Sequence, residues 1–391
     1  MATPKFSILI PTRDRPATLR HTLATVLSQP GEDYEVVVAD NCGTPETRQL
    51  IDQNAHPKLR YTRSEEILPM AQNWERGLDL CEGEYVTVLG DDDALLPSTL
   101  HATRKLIETT GAELLSWSPH TYWWPDTIVY WLRNLLVVNL GLEARERNSR
   151  RILQGFYTGE LGMDWLPMIY SAFFHRSIID EARRRYDGFF VPREAAPDIA
   201  SAILGLHLTQ NHVYSARPLS IRGNSGKSNG TAQWVRSLGQ KQREIYFREE
   251  RIGLEGMIHK ALVPSPNLGI IVASTKLRCR ETYFPHDAEL TVDLLGVLYD
   301  MVGRLNAEPE AYDENLSDVE AFAAKLGVKL DPSLVPPKVP IERKPSWGPE
   351  SHTDNRVSLA VNGDLAGLRN IEDAGRLVEA LQYPVADYVR G

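Results

Sequence analysis

The sequence predicts an α/β protein with a mixed, mainly parallel sheet flanked by helices, followed by a helical C-terminal extension. Three observations carry this. Over the first hundred or so of the 391 residues, short β-rich runs alternate with helical patterns, the signature of successive strand–helix–strand units. Each run gives way to a polar loop carrying Asp, Gly or Pro, the residues that punctuate such units. From Gln233 to about Leu330 the apolar spacing is mostly helical.

The first run, Phe6 to Pro11, ends in Thr12-Arg13-Asp14-Arg15-Pro16. Asp14 can cap a helix there and Pro16 can open it, because its ring presets φ and the first helical N–H has no partner to lose. Leu19, Leu23, Val26 and Leu27 then share one face. Tyr34 to Ala39 forms the second strand and Asp40 to Thr44 its loop, after which Pro45 starts a helix that turns Leu50 and Ile51 inward. A third strand, Leu59 to Thr62, precedes a helix with Met70, Trp74, Leu78 and Cys81 on one stripe. Glu84 to Leu89 reads as a central strand buried on both faces and ends in Gly90-Asp91-Asp92-Asp93. Ligands of open α/β sheets bind outside the carboxyl ends of the strands. Thr12 to Arg15, Asp40 to Gly43 and Asp91 to Asp93 are therefore expected to line one crevice.

This first unit is assigned residues 1–110, and a second runs over 111–230. The second contains a strand-like Pro167 to His175, a helix started by Ser177 with Asp180 as its capping-box partner, a helix around Ile199 to Leu206, and a strand over His212 to Ile221. The apolar stretch Thr127 to Leu142 is interrupted by Arg133 and Asn134 and falls short of the ~20 residues of a membrane span, so a buried or interfacial helix is expected. Near it, Tyr122, Trp123, Trp124, Tyr130 and Trp131 suit a core cluster, a sugar platform or a membrane-edge contact, core being the commonest of these roles. A helical extension over 231–330 follows. Pro332, Pro336, Pro337, Pro340, Pro345 and Pro349 then mark 331–357 as a linker, leaving a tail over 358–391 that is helical near Ile371 to Leu381.

Hydrophobic residues at 42% and charged residues at 24% suit a buried core. A net charge of -9 gives no chain-wide attraction to phosphate backbones, so nucleic acid is not expected as a partner. An anionic ligand must be held locally, by a metal or a few cations. The three cysteines, Cys42, Cys81 and Cys279, are too widely spaced for a zinc pattern or a disulfide framework and fit a reducing cytoplasm. Met1 runs into the strand-like Phe6 to Ile10 without a charged-then-apolar leader, which again leads one to expect a cytoplasmic location. No G-x-G-x-x-G follows the first strand and no G-x-x-x-x-G-K-[ST] occurs anywhere, which counts against dinucleotide binding and P-loop chemistry.

Three consecutive aspartates at the end of a buried strand repel one another and raise one another's pKa. A divalent cation relieves that cost. Hard oxygen ligands suit Mg²⁺ or Mn²⁺, and a magnesium-type ion takes one or two carboxylates together with phosphate oxygens. A solvated acidic turn is the plainer account of an acidic run in a loop. Here the apolar strand before it and Ala94-Leu95-Leu96-Pro97 after it fix the run at a sheet edge.

These residues carry a resemblance. Ile8-Leu9-Ile10-Pro11-Thr12 with Arg15-Pro16, Val37-Val38-Ala39-Asp40-Asn41, Asn73-Trp74 with Gly77, and Gly83-Glu84-Tyr85-Val86 leading to Asp91-Asp92-Asp93 and Pro97 follow one another in a familiar order and spacing. Over this quarter of the chain the sequence resembles the nucleotide-binding half of inverting GT-A glycosyltransferases of family 2, and more loosely so to about Gly230. The resemblance implies that Pro11, Thr12 and Arg13 flank the nucleobase of a nucleotide-sugar, a UDP-sugar by the family's commonest choice, and that Asp40 bonds the base edge. Asn73 belongs to the same donor-binding set. Asp91 and Asp92 would lie near the ribose and the sugar, and Asp93, with Asp91, would ligate the Mn²⁺ or Mg²⁺ that bridges the pyrophosphate. Two positions depart from the family: Arg13 stands where an aromatic or small residue is frequent, and Gly90 where many members carry a further aspartate. For Asp40, a turn-forming aspartate beside Asn41 and Gly43 is an equally good reading of the residues themselves.

Inverting transfer needs a base for the acceptor hydroxyl and positive charge for the departing diphosphate. The family places a carboxylate base at the start of a helix in the second unit, and Asp198, before Ile199, Ile203 and Leu206, occupies that region here. A plain helix cap is the rival role for Asp198, and Glu194 and Asp164 stand in reserve. Arg222 to Gly230 reads as a flexible, glycine-bearing loop whose Lys227 can meet the pyrophosphate. His207 and His212 are isolated, with a metal-ligand role left open. The resemblance further implies a saccharide or lipid-linked saccharide acceptor in surface polysaccharide synthesis, which would bring the protein to the inner face of the membrane. Two other functions compete: a sugar-1-phosphate nucleotidyltransferase, which should carry a glycine-rich basic loop after the first strand, and a silent glycan-binding or scaffold protein of the same fold.

Overall fold

The computed structural model describes residues 3–340, 343, 348–351 and 357–384. Its strands, in chain order, are β1 (Phe6–Thr12), β2 (Tyr34–Asp40), β3 (Leu59–Arg63), β4 (Tyr85–Val88), β5 (Ala94–Leu95), β6 (Leu114–Trp117) and β7 (His120–Trp123). They continue as β8 (Leu135–Leu140), β9 (Ala144–Asn148), β10 (Ala172–His175), β11 (Asn211–Ser215), β12 (Ser220–Asn224), β13 (Gly348–Ser351) and β14 (Val357–Asn362). Eight form one sheet in the order β3-β2-β1-β4-β10-β6-β11-β9 and six form a second in the order β13-β14-β8-β7-β12-β5.

The first sheet is the predicted one. β1, β2, β3 and β4 run parallel, with Ile8 opposite Val36 and Thr87. Antiparallel β10 joins β4 to β6, and β11 pairs parallel to β6. Alternation along β1 explains why its strand is apolar on both sides. Ile8 and Ile10 pack with Leu19, Leu23 and Val26 of the helix Pro16–Leu27, whereas Leu9 packs with Trp74 and Leu78 on the other face. The helices Ser149–Thr158, Arg176–Tyr186 and Pro197–Leu208 complete that second layer. The helical extension has a core of its own around Ile270, Leu298 and Phe322, and its helix Leu268–Tyr283 sends Cys279 and Tyr283 into the main core. No helix among the described residues is long and apolar enough to cross a membrane.

The second sheet is where local pattern misled. Thr127 to Leu142 is not a helix; after the single 3₁₀ turn Tyr130–Leu132 it becomes β8. The strand expected over His212 to Ile221 is two, β11 in the first sheet and β12 in the second, because the chain changes sheets around Pro218. Arg222, Gly223 and Asn224 therefore belong to a strand and only the remainder of the expected loop is irregular. The helix Arg176–Tyr186 is capped by the His175 ring accepting from the Ser177 N–H, and not by Ser177 with Asp180. Of the aromatic group, Tyr122, Trp123 and Trp124 are buried and Tyr130 is exposed.

The segment expected to be a tail forms part of the fold. β14 pairs antiparallel with β8, from Val357 opposite Leu140 to Asn362 opposite Leu135. Beyond it, the helix Ile371–Leu381 covers the second sheet, with Ile371, Ala374 and Val378 packed against Tyr122, Leu136 and Ile221. Within the linker stretch Pro345 lies outside the described residues, as do 385–391. Because Ile371 is fully buried in this layer, Ile371→Ala is expected to cost about 3 kcal/mol in urea unfolding. A loss below about 0.5 kcal/mol, the range of exposed sites, would return the segment to the role of a detached tail.

Candidate active site

The acid run is the crossover between the two sheets. β4 leaves the first sheet at Val88, Gly90 to Asp93 make the turn, and β5 enters the second sheet by pairing with β12. Every carboxylate in the turn is held. Asp91 accepts from the Thr12 hydroxyl at 2.7 Å and from Arg15 at 3.0 Å. Asp92 accepts from the Ser225 hydroxyl at 2.6 Å and its N–H at 3.1 Å, and Asp93 from the N–H groups of Gly223 at 2.7 Å and Gly90 at 3.0 Å. The turn's own carbonyls are taken as well, Asp92 O by the Trp124 indole at 3.0 Å and Asp93 O by the Thr22 hydroxyl at 2.8 Å.

All three aspartates are buried. Burial raises the Asp92 carboxyl against the pull of Arg15, and burial with the charge of Asp92 pushes Asp93 up to about 7. Tyr170 reports a fourth acid: burial and then the charges of Asp198, Asp93, Asp91 and Asp92 push its hydroxyl well up. Arg222 on β12 is the cation that favours the charged forms of both Asp93 and Asp198.

These groups line one cavity of about 850 Å³. Its walls come from the ends of the first sheet's strands, the acid turn, the start of the helix Pro197–Leu208, the cavity-facing side of β7 and β12, and the helix Arg236–Glu249 of the extension. Pro11, Thr12, Arg13, Asn73, Asp91, Asp92, Asp93, Asp198 and Lys227, all expected at the site, meet here. Asn73 is already engaged, donating to the Ala39 carbonyl at 3.1 Å and accepting from Arg76 at 2.8 Å. Lys227 donates to the Asp14 carbonyl at 2.9 Å while Arg15 donates to the Lys227 carbonyl, so this segment is tied down over the β1 loop. Arg13 pairs with Glu249, which brings the helical extension to the β1 end of the cavity.

Other expected residues lie elsewhere. Asp40 is fully buried and does not line the cavity. Its carboxylate accepts from the Gly43 N–H at 2.8 Å and the Tyr61 hydroxyl at 2.7 Å, which is the turn role. Glu194 and Asp164 are exposed and outside the cavity. His207 bonds the Tyr186 hydroxyl and stacks on Tyr283, and His212 is buried in β11; neither approaches the aspartates. Ala196 holds the N-cap position of that helix, and Asp198, in its first turn, accepts from the Ile199 N–H at 2.9 Å. Burial raises its carboxyl above the usual carboxylate range.

Sequence reasoning put Arg15 at the crevice and Arg222, Gly223 and Ser225 in a flexible loop without giving any of them a contact to the aspartates, and it passed over Tyr170. Gly223 is required by contact: a Cβ there would lie 1.8 Å from the Asp92 carbonyl oxygen and 2.8 Å from the Trp124 indole nitrogen. Gly90 is similar, since a Cβ there would meet Asp93 Oδ2 at 2.7 Å.

Among the described residues no three acidic, histidine or cysteine groups stand close enough to enclose a metal by themselves. The donor set is nevertheless all carboxylate oxygen, buried and in excess of the nearby cations. That chemistry fits a hard cation drawing one or two ligands, Asp93 and Asp91, from the protein and the rest from phosphate oxygens.

Two outcomes follow from this geometry. Gly223→Ala forces β12 off the acid turn and is expected to cost about 1–3 kcal/mol in thermal unfolding; a variant as stable as wild type would deny the clamp. Glu250, at the cavity, accepts from the Met70 N–H at 2.8 Å, and burial pushes it from 4.5 up to about 7. Its folded pKa lies above the unfolded one, so the folded state holds the extra proton between pH 4.5 and 7 and wild-type stability declines across that window as pH rises. Glu250→Gln removes the decline, and its Tm relative to wild type is expected to be higher at pH 8 than at pH 5. An equal Tm difference at both pH values would contradict this.

Comparison with known proteins agrees with the motif reading. Residues 7–163 match the profile described as Glycosyl transferase family 2. The chain is 30% identical over 100 residues to the GalNAc(5)-diNAcBac-PP-undecaprenol beta-1,3-glucosyltransferase of Campylobacter jejuni, covering 25% of this chain and 32% of that one. It is 35% identical over 99 residues to a PGL/p-HBAD biosynthesis glycosyltransferase of Mycobacterium tuberculosis, covering 24% and 38%. The chain thus spans about a third of the length of the curated relatives it matches. Among solved structures, S. aureus TarS 1-349 in complex with UDP-GlcNAc aligns with 83% of this chain and 92% of its own at 15% identity and a TM-score of 0.45, a likeness too loose to argue from. The matched residues 7–163 hold β1 to β4 and the acid turn, so the similarity to glycosyl transferase family 2 falls on this part of the chain.

Proposed function

We propose that this protein is a metal-dependent inverting glycosyltransferase. It moves a sugar from a nucleotide diphosphate-sugar, a UDP-sugar, to a hydroxyl of a saccharide or lipid-linked saccharide in surface polysaccharide synthesis. The observation that carries this is the meeting of Asp198 with Asp91, Asp92 and Asp93 around Tyr170 in one cavity, a base facing a cation-binding turn.

Asp198 accepts the proton of the acceptor hydroxyl as that oxygen attacks the anomeric carbon. The bond from that carbon to the diphosphate breaks on the opposite face, and the electron pair leaves with the nucleoside diphosphate. Burial makes Asp198 a stronger base than a solvated aspartate, and Arg222 keeps its charged form accessible. A divalent cation held by Asp93 and Asp91 would neutralise charge on the departing diphosphate. Arg15, locked to Asp91, and Lys227, locked to the Asp14 carbonyl, present fixed positive charge at the same place. Pro11, Thr12 and Arg13 take the nucleobase side, with Glu249 behind Arg13.

The test pairs binding with turnover. UDP is expected to raise the wild-type Tm more with Mn²⁺ than without it. Asp198→Asn should keep that shift while its transfer rate falls by about 10²- to 10⁴-fold, the usual cost of losing a general base. Transfer at close to the wild-type rate would move the base elsewhere, and a Tm unmoved by UDP would sink the donor assignment.

A further inference from the structure

Away from the carboxylates the cavity wall changes chemistry. Alternation along the parallel pair β7 and β12 puts Thr121, Trp123, Arg222 and Asn224 on the face that lines the cavity, while Tyr122 and Ile221 point into the core beneath the helix Ile371–Leu381. Trp123 packs against Trp234, the last residue of the short helix Asn229–Trp234, with ring centroids 5.5 Å apart. Trp123 is buried, whereas Trp234 is 53% exposed. Beside them Gln233 lines the same cavity, and its amide oxygen is buried without a hydrogen-bond partner. A buried acceptor left unpaired costs free energy that an incoming donor recovers. Arg222, which faces Asp198, stands opposite Thr121, only two residues from Trp123, or about 7 Å along the strand. One ligand can therefore reach both.

We propose that Trp123, Trp234 and Gln233 form the acceptor subsite of this cavity and that the acceptor presents a saccharide ring there. The ring lays an apolar C–H face on the Trp234 indole and donates a hydroxyl to Gln233 Oε1. This rests on the transferase function proposed for the same cavity. A sugar ring combines an apolar face with a rim of hydroxyl donors, which is what an exposed indole beside an orphaned amide oxygen can satisfy. A hydrocarbon chain would leave the amide unpaired, and a phosphate would meet an acceptor where it needs a donor.

The whole chain is to be applied, with UDP and Mn²⁺, to an array of bacterial surface saccharides printed beside alkyl chains and glycerol phosphate. Wild type is expected on saccharide spots alone. Trp234→Ala should weaken that binding about tenfold and Gln233→Leu severalfold, while Trp234→Phe keeps most of it because a ring remains. Trp234 is half exposed at a helix end, so its loss should leave the fold intact, and circular dichroism of each variant verifies this. Saccharide binding unchanged in Trp234→Ala overturns the subsite, as does retention of wild type on the control spots or on none. Failure of UDP to shift the wild-type Tm instead overturns the transferase function, so the two are separately decided.

Discussion

The backbone N–H groups of Gly223 and Ser225, donating to Asp93 and Asp92, hold the two sheets together at the one place where three carboxylates have been taken out of water. Like charges this close and this buried are costly, and the fold meets that cost with directed donors on every side. Thr12 and Arg15 arrive from the end of β1, Trp124 from the end of β7, and Gly223 and Ser225 from the end of β12. Removing any of these leaves a buried carboxylate or, for Trp124, the Asp92 carbonyl with fewer partners. The turn is therefore both the joint of the fold and its most polarised point, and its position settles where the cavity lies.

That joint also divides the labour of the cavity. The first sheet brings the strand ends beside the acid turn, and the second sheet brings the wall that carries Arg222 and Trp123. Asp198 comes from a third direction, a helix start packed on the first sheet's far layer. The helical extension adds Glu249 against Arg13, so a segment outside residues 7–163 reaches the end of β1. No single stretch of chain contains the site. What unites it is the common rim at which β1, β4, β7 and β12 all end.

The first sheet could be read from the residues because its strands are local: each apolar run is followed by its helix and then by the next parallel strand. The aspartates could be read for the same reason, being three in a row after a buried run. The second sheet could not. β8 pairs with the nearby β7 on one edge, but the strand on its other edge, β14, lies ~200 residues further on. β12 reads as a loop because Arg222-Gly223-Asn224 has no apolar alternation; its glycine is dictated by the Asp92 carbonyl, a contact that no local window contains. Asp40 shows the opposite limit. The resemblance makes it a base contact, while in the fold its carboxylate accepts from the Gly43 N–H and the Tyr61 hydroxyl, the latter a contact no local window contains. The same holds for the ring nitrogens of His212, which β11 carries into a buried, unpartnered position well away from the acids.

The pairing of β14 with β8 has a consequence in time. The ribosome makes β14 ~200 residues after β8, which at ordinary elongation rates is an interval of about 10 to 40 s. Throughout it β8 presents an unpaired edge, and the apolar side formed by Tyr122, Leu136 and Ile221 lacks the helix that will cover it. An open strand edge beside exposed apolar surface is the condition under which nascent chains pair with one another. The first sheet, whose described strands are complete by Ser215, can by then be folded. During synthesis the protein thus carries a finished first sheet next to an unfinished wall, and the vulnerable edge is shielded by whatever binds it first, its own β14 or a chaperone.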